Sequence, residues 1–202
     1  MQNAGIAALG LNWRYLAFEV HPDRLRAALD GAKPMGFLGV NLTVPHKVLA
    51  LDMVDAVDEQ ARVWGAVNTV RFEGRDERGA WRPLREFETL PGELRSHGFN
   101  TDADAITCAL REDLGLDPAG AKILLLGAGG AGRTAALKLA SEKPAELFLV
   151  NRTRAKAEAV AKEIRARYPE VTVLLGYPAG SADLVLNATS LGLKANDPLP
   201  FD

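Results

Sequence analysis

Gly127-Ala128-Gly129-Gly130-Ala131-Gly132 satisfies the pattern G-x-G-x-x-G. It lies between an apolar run, Lys122–Leu126, and a helical pattern over roughly 133–141, the strand–loop–helix setting that a phosphate loop requires. In that setting the first glycine makes the tight turn, the second lets the backbone approach a pyrophosphate, and the third permits close packing of helix on strand. The helix start then offers unpaired N–H groups and the positive end of its dipole to the phosphates. A glycine-rich turn without a ligand is the plainer alternative. The end of the next strand bears on which dinucleotide binds, because a carboxylate about 20 residues beyond the glycines bonds the ribose 2′-hydroxyl of NAD. Asn151 stands at that place, followed by Arg152, Thr153 and Lys156. A carboxylate would repel a 2′-phosphate, whereas Arg152 can grip one bidentately, and Lys156, about one helical turn on, adds positive charge. Cations disfavour a helix start, so stability alone does not explain this pair. NADP is therefore the expected cofactor.

Two upstream segments carry acid–base groups. In Val40-Asn41-Leu42-Thr43-Val44-Pro45-His46-Lys47, Pro45 sits where a helix would open, and Lys47 falls in its first turn. An ammonium is disfavoured there, which suits a lysine to proton transfer near neutral pH. A solvated surface lysine is the simpler local reading. In Gly98-Phe99-Asn100-Thr101-Asp102, each of Asn100, Thr101 and Asp102 could cap the helix that follows, with Asp104 supporting its dipole. Local sequence leaves capping and catalysis equally open.

The elements that must position these groups fall into two regimes meeting near residue 103. Upstream, residues 2–9 read as a helix stopped by Gly10, and 14–20 alternates like a strand. A short amphipathic helix over 22–29 stops at Gly31, and 36–42 is a second strand pattern. A helix opens at Pro45 and carries apolar residues as far as Val57, and 66–72 is strand-like. Gly74 and Gly79 suggest a hairpin tip with a return strand over 81–87. Residues 71–99 are the least readable stretch, an insertion, and within it 86–98 shows no readable pattern and is expected to be a functional lid or a mobile segment. Downstream the rhythm is regular: helix 106–114, strand 122–126, helix 133–141, strand 146–150, helix 154–167, then strands 171–175 and 183–186. Strands alternating with helices of this length predict a parallel sheet with crossovers. The expected fold is α/β, with a domain over 1–103 and a Rossmann-like doubly wound parallel sheet over 104–202.

Composition narrows the function classes. Lys+Arg 24 against Asp+Glu 26 gives a formal charge of −2, so no global basicity points to nucleic acid. At 48% hydrophobic and 25% charged, the chain has ordinary globular composition. No apolar run approaches the ~18 residues of a bilayer span, and Arg14, Glu19 and Asp23 interrupt any secretory signal. One Cys excludes an intrachain disulfide framework, and three scattered His give no metal-ligand spacing. A soluble, cytoplasmic, metal-free protein is the expectation.

Taken together, VNLTVPHK (40–47), GAVNTV (65–70), GFNTD (98–102), GAGGAGR (127–133), NRTRAK (151–156) and NATSLGL (187–193) resemble the signatures of the shikimate dehydrogenase family, in that family's order. The resemblance implies NADP-linked, reversible reduction of 3-dehydroshikimate to shikimate, a step towards chorismate and the aromatic amino acids. It implies a substrate domain of α/β/α type followed by the NADP-binding sheet. By position, Lys47 resembles the family's catalytic lysine and Asp102 its partner carboxylate. Which of the two is the formal proton donor stays open. Asn68 and Asp102 match residues that hold substrate hydroxyls, and Thr43 matches a substrate-pocket position. Asn151, Arg152, Thr153 and Lys156 match the NADP-recognition segment, with Asn187, Thr189 and Ser190 on the cofactor side. The family's opening strand with its Ser-x-Ser motif, and its C-terminal helices, are expected to lie outside this chain, making both domains incomplete. A quinate/shikimate dehydrogenase of relaxed specificity and a catalytically inert dinucleotide-binding fragment are the alternatives. A monomer or a homodimer is expected.

Overall fold

The computed structural model describes residues 1–192 and 194–200. Leu193, which closes the NATSLGL motif, and the last two positions of the expected dinucleotide domain lie outside the described residues. Helix α1 (Gln2–Ala8) ends as expected, with Gly10 in the left-handed region at φ +67°. Helix α2 (Leu25–Ala32) follows a short 3₁₀ turn. Strands β1 (Gly39–Asn41), β2 (Ala56–Val57), β3 (Thr69–Arg75), β4 (Trp81–Pro83) and β5 (Leu94–Phe99) form one mixed sheet ordered β1-β3-β5-β2, with β4 joined to β3. β3 is antiparallel to β1, β4 and β5, whereas β2 runs parallel to β5.

Strand alternation sets the two faces of this sheet. Val70 and Phe72 of β3 point into a core with Leu25, Leu29 and Ala32 of α2. On the opposite face stand Arg71 and Glu73 of β3, with Arg95 and His97 of β5. The Glu73 side chain is 1% exposed, and its two oxygens accept from Arg71, from Arg95 at 2.6 Å and from His97 Nδ1 at 3.2 Å. Burial works against its charge, but the bonds from Arg71, Arg95 and His97 outweigh it and hold the carboxyl below the usual glutamate value. The arginines are braced by aromatic rings, Arg71 over Phe99 and Arg95 over Trp81.

Several expectations fail here for identifiable reasons. Residues 14–20 form no strand: among the described residues no ladder partner is offered, and the Tyr15 backbone is bonded by the Asn3 side chain instead. Helix α2 does not stop at Gly31, because a glycine costs an interior turn only about 1 kcal/mol and Ala32 continues into the core. No helix runs from Pro45 to Val57. Helix α3 (His46–Leu49) and a 3₁₀ turn (Ala50–Asp52) give way to β2, whose Ala56 and Val57 pair with His97 and Gly98. The hairpin tip is present and its return strand is shorter than 81–87, since a 3₁₀ turn takes over at Leu84; most of 86–98 is no lid, because β5, unread in the sequence, pairs with β3 over Thr69–Gly74 at the middle of the sheet.

Helix α4 (Glu59–Trp64) is capped by the Asp58 carboxylate and ends at Gly65 in the left-handed region. The dinucleotide half is then close to expectation. Strands β6 (Lys122–Leu126), β7 (Glu146–Val150), β8 (Thr172–Leu175) and β9 (Leu184–Asn187) are all parallel, in the order β8-β7-β6-β9. Helices α5 (Asp102–Leu114), α6 (Gly130–Ser141) and α7 (Arg154–Arg167) contribute to one apolar core with Ile123, Leu125, Leu147 and Leu149. Trp64 of α4 and Ala103 of α5 belong to that same core, and α5 spans the expected 103/104 boundary. Leu124, Leu126 and Phe148 make a smaller cluster on the other side of the sheet. The chain proceeds outward from β6 to β8 and returns to β9, so the crevice beyond the carboxyl ends of β6 and β9 is a topological switch point.

Candidate active site

The glycine loop leaves β6 at this switch point, and each glycine can be tested against its expected task. Gly127 has φ +105°, and a Cβ there would lie 2.7 Å from the Ala188 carbonyl of the loop after β9. A Cβ on Gly132 would collide with the Gly127 carbonyl, so helix α6 can leave the strand this closely only with glycine. Around Gly129 nothing lies within 4 Å of such an atom, leaving that backbone open to a ligand. Gly132→Ala is therefore expected to destabilise the fold by about 1–3 kcal/mol through overpacking, read as a lower urea midpoint. An unchanged midpoint would show that the loop has room to relax.

Around this loop the expected cofactor residues are brought together. Asn151, at the end of β7, accepts from the Ala128 N–H at 3.0 Å and donates to the Thr153 carbonyl at 2.8 Å, tying the loop to the start of α7. Arg152 and Lys156 are exposed beside it, and neither forms an ion pair with a carboxylate among the described residues. No acidic residue occupies the first turn of α7. Asn187 accepts from the Thr189 N–H and hydroxyl at 2.9 and 2.7 Å and donates to the Leu191 carbonyl, so it shapes its own loop. Ser190 is exposed on that turn.

Lys47 and Asp102, 55 residues apart in sequence, meet as an ion pair with Nζ–Oδ2 of 2.8 Å. Asp102 is the first residue of α5. The N-cap position is Thr101, but the capping bonds come from Asn100 just before it, whose Oδ1 accepts from the N–H groups of Asp102 and Ala103 at 3.1 Å, so the Asp102 carboxylate is not needed for the cap. The second oxygen of that carboxylate accepts from Asn68 Nδ2 at 2.6 Å. Asn68 is 8% exposed and held from both ends: its Oδ1 accepts from the Thr101 N–H at 3.0 Å, and its Nδ2 also reaches the Thr101 hydroxyl.

Behind Asn68 stands a one-way series of donors. The Tyr15 hydroxyl donates to Asn41 Oδ1, Asn41 Nδ2 to the Thr69 hydroxyl, and the Thr69 hydroxyl to Asn68 Oδ1, each at 3.1 Å. Tyr15, Asn41 and Thr69 are members that sequence reasoning missed. For Asn41 and Thr69 the available signal was a polar residue at a strand end where apolar alternation stops; for Tyr15, outside any strand, there was none. Thr43 is exposed on the turn before α3, and its carbonyl accepts from the His46 N–H at 2.8 Å. A cavity of about 360 Å³ opens beside the network, with Thr69, Arg71, Phe99 and Thr101 in its wall.

The two constellations are neighbours. Val48, next to Lys47, lies against the start of α6, where a Cβ on Gly130 would stand 3.6 Å from its Cγ2. A lysine–carboxylate pair that can hold and pass a proton thus adjoins a loop shaped for a pyrophosphate.

Comparison with known proteins agrees with this arrangement. A family model described as shikimate dehydrogenase substrate binding domain matches residues 1–70, and one described as shikimate / quinate 5-dehydrogenase matches residues 110–193. A shikimate 5-dehydrogenase structure from Thermus thermophilus, in complex with shikimate, is 33% identical with a TM-score of 0.72, over 99% of this chain and 67% of that one. The chain belongs to the shikimate dehydrogenase family. Curated family relatives named shikimate dehydrogenase (NADP(+)) include one from Methanopyrus kandleri at 38% identity over 99% of this chain and one from Moorella thermoacetica at 41% over all of it. This family member spans 65% of the length of each of those relatives. A ligand-free 5-ketofructose reductase from Gluconobacter sp. strain CHM43 is also similar, at 33% identity and TM-score 0.75, over 99% of this chain and 67% of that one.

Proposed function

We propose that this chain belongs to an NADP-dependent shikimate dehydrogenase, interconverting 3-dehydroshikimate and shikimate. The observation that carries the reading is the Lys47–Asp102 pair, locked by Asn68 and adjoining the glycine loop through Val48 and Gly130. When bound, the reduced cofactor supplies a hydride to the substrate carbonyl. Gly127–Ala131 and the N–H groups at the start of α6 would hold the pyrophosphate, with Asn187, Thr189 and Ser190 contributing from the loop after β9. Asn151 fixes the loop's outer edge, and Arg152 and Lys156, with Thr153, would hold the 2′-phosphate. Asn68 and Asp102 orient the substrate hydroxyls, and Thr43 contributes at the pocket's rim. Lys47 and Asp102 together hold the reacting oxygen and exchange its proton with solvent. No described helix is long and apolar enough to cross a membrane. The reading includes cytoplasmic action on a small molecule, as a monomer or homodimer.

Steady-state oxidation of shikimate with NADP⁺ by the native protein, with quinate as the competing substrate, tests this reading. Turnover of quinate but not shikimate would overturn it. The cofactor choice has its own test: NADPH should bind at least about tenfold more tightly than NADH, equivalent to ~1.4 kcal/mol, and Arg152→Ala should erase most of that difference. Equal affinities in the unmodified protein, by fluorescence titration, would remove Arg152 from this role.

A further inference from the structure

Helix α6 starts at the glycine loop, and its Arg133 turns away from the loop towards the other half of the molecule. Arg133 is fully engaged. Its Nη1 donates to the Trp64 carbonyl at 2.5 Å, and its Nε and Nη2 grip both oxygens of Glu163 on α7 at 2.9 and 2.6 Å. Arg167, one turn further along α7, bonds the same Glu163 at 2.6 Å and donates to the Val63 carbonyl at 2.6 Å. Val63 and Trp64 are the last two residues of α4, whose terminal carbonyls have no partners within the helix. Two arginines bridged by one glutamate thus clasp the carboxyl end of α4, where cations are favoured. Gly65 follows at once, and a side chain there would collide with the Arg133 guanidinium. Lys138 of α6 adds a second contact, 5.8 Å above the Trp64 ring and 3.1 Å from Asp104 of α5.

The four residues after α4 reach every part of the acid–base site. The Ala66 carbonyl accepts from Asn100 Nδ2 at 3.0 Å, and Asn100 caps the helix that begins at Asp102. The Val67 N–H donates to the Lys47 carbonyl at 2.7 Å. Asn68 bonds the Asp102 carboxylate. Residues 65–68 are therefore a short link, held at one end by the helix of the glycine loop and at the other by the proton-handling pair.

We propose that Arg133 is a positioning residue: by clasping the end of α4 it fixes the 65–68 link, and with it Asn68, Asp102 and Lys47, relative to the dinucleotide loop. This rests on the proposed reaction for its kinetic consequence but not for its structural one. Arg133 touches neither reactant, so its loss acts through geometry, and an ångström of misplacement can cost about 10²-fold in rate.

Amide hydrogen exchange on the native protein, with Arg133→Gln and Glu163→Gln, is the primary test, because exchange reports local opening segment by segment. In both variants the Val67 and Asn68 amides should exchange at least about tenfold faster, while those of Ile123 and Leu125 in β6 stay unchanged. In parallel, kcat for shikimate should fall about tenfold or more, with the Kd for NADP⁺ unaltered within threefold. Arg133→Lys, which keeps the charge but loses the fork, should fall between. Unchanged exchange at 67–68 in both variants overturns the proposal, as does faster exchange spread evenly through β6. If the unmodified protein does not turn over shikimate, the reaction assignment fails while the exchange measurement still decides the role of Arg133.

Discussion

Lys47→Ala in the native protein is expected to lower kcat for shikimate oxidation by about 10²-fold or more, the usual range for a positioned acid–base group. The Kd for NADP⁺ should barely change, because Lys47 meets Asp102 and backs onto the Val67 N–H, not the glycine loop itself. Stability should change little. Lys47 and Asp102 are both partly exposed, their side chains at 22% and 39%, and such a pair contributes no more than about 1 kcal/mol. Asp102 would keep its bond from Asn68 and its place at the start of α5. The expected signature is thus a large loss in kcat with an almost unmoved thermal midpoint. Lys47→Arg keeps the charge but replaces a compact ammonium with a planar fork that does not give up its proton, and should recover little. A Lys47→Ala protein with near-normal kcat would reduce this residue to a surface lysine.

Glu73→Gln should be the most damaging conservative change to the upstream sheet. It preserves the shape of a side chain that is 1% exposed but removes the charge facing Arg71 and Arg95. Both arginines reach solvent, so the cost should fall below the ~3–5 kcal/mol of a fully enclosed pair. About 2 kcal/mol is expected, from the loss of charge-assisted bonds to a buried group. The pH dependence has a definite sign. The folded-state carboxyl titrates below the ordinary glutamate value of 4.5, so the unfolded chain binds the proton first on acidification. The Glu73 contribution is therefore complete above that pH and is lost as pH falls through the lower folded value. Urea midpoints measured between pH 6 and pH 3 should decline for the unmodified protein and decline less for Glu73→Gln. Parallel declines would mean that other carboxylates dominate acid unfolding.

How far these features were legible follows from where each signal resides. The dinucleotide half was readable because its two central strands are buried on both faces, so Lys122–Leu126 and Glu146–Val150 stand out as apolar runs between glycine and charge. The starts of two helices differ: α5 opens at Asp102, not 106, and α6 at Gly130, not 133, since a helix opening on Gly-Ala-Gly goes against propensity and is justified by the loop it serves. β5 was invisible for the opposite reason. Its buried positions are Ser96 and Gly98, kept small because a Cβ at Gly98 would lie 2.8 Å from Val67, and its other face carries Arg95 and His97. Alternation did show over 14–20, where no strand forms, because pattern supplies a willing strand but not its partner. At the acid–base site, local sequence could nominate Lys47 and Asp102 but not join them. The pairing is a tertiary fact, made by Asn68 from a third segment.

Asp102 has an address with a practical consequence for protein engineers who recombine domains. It opens α5, whose next residue, Ala103, is fully buried in the dinucleotide half's core beside Trp64. A crossover placed between residues 103 and 104 would keep this carboxylate from one parent and take the rest of its helix from another. The helix would then bring Ala103 from the first parent and Leu110 from the second into one core, and a misfit between them would tilt the turn that carries Asp102 to Lys47. Chimeras joined upstream of Asn100 move the capping side chain, carboxylate and whole helix as one cassette, and should retain the Lys47–Asp102 geometry more reliably than a cut inside the helix.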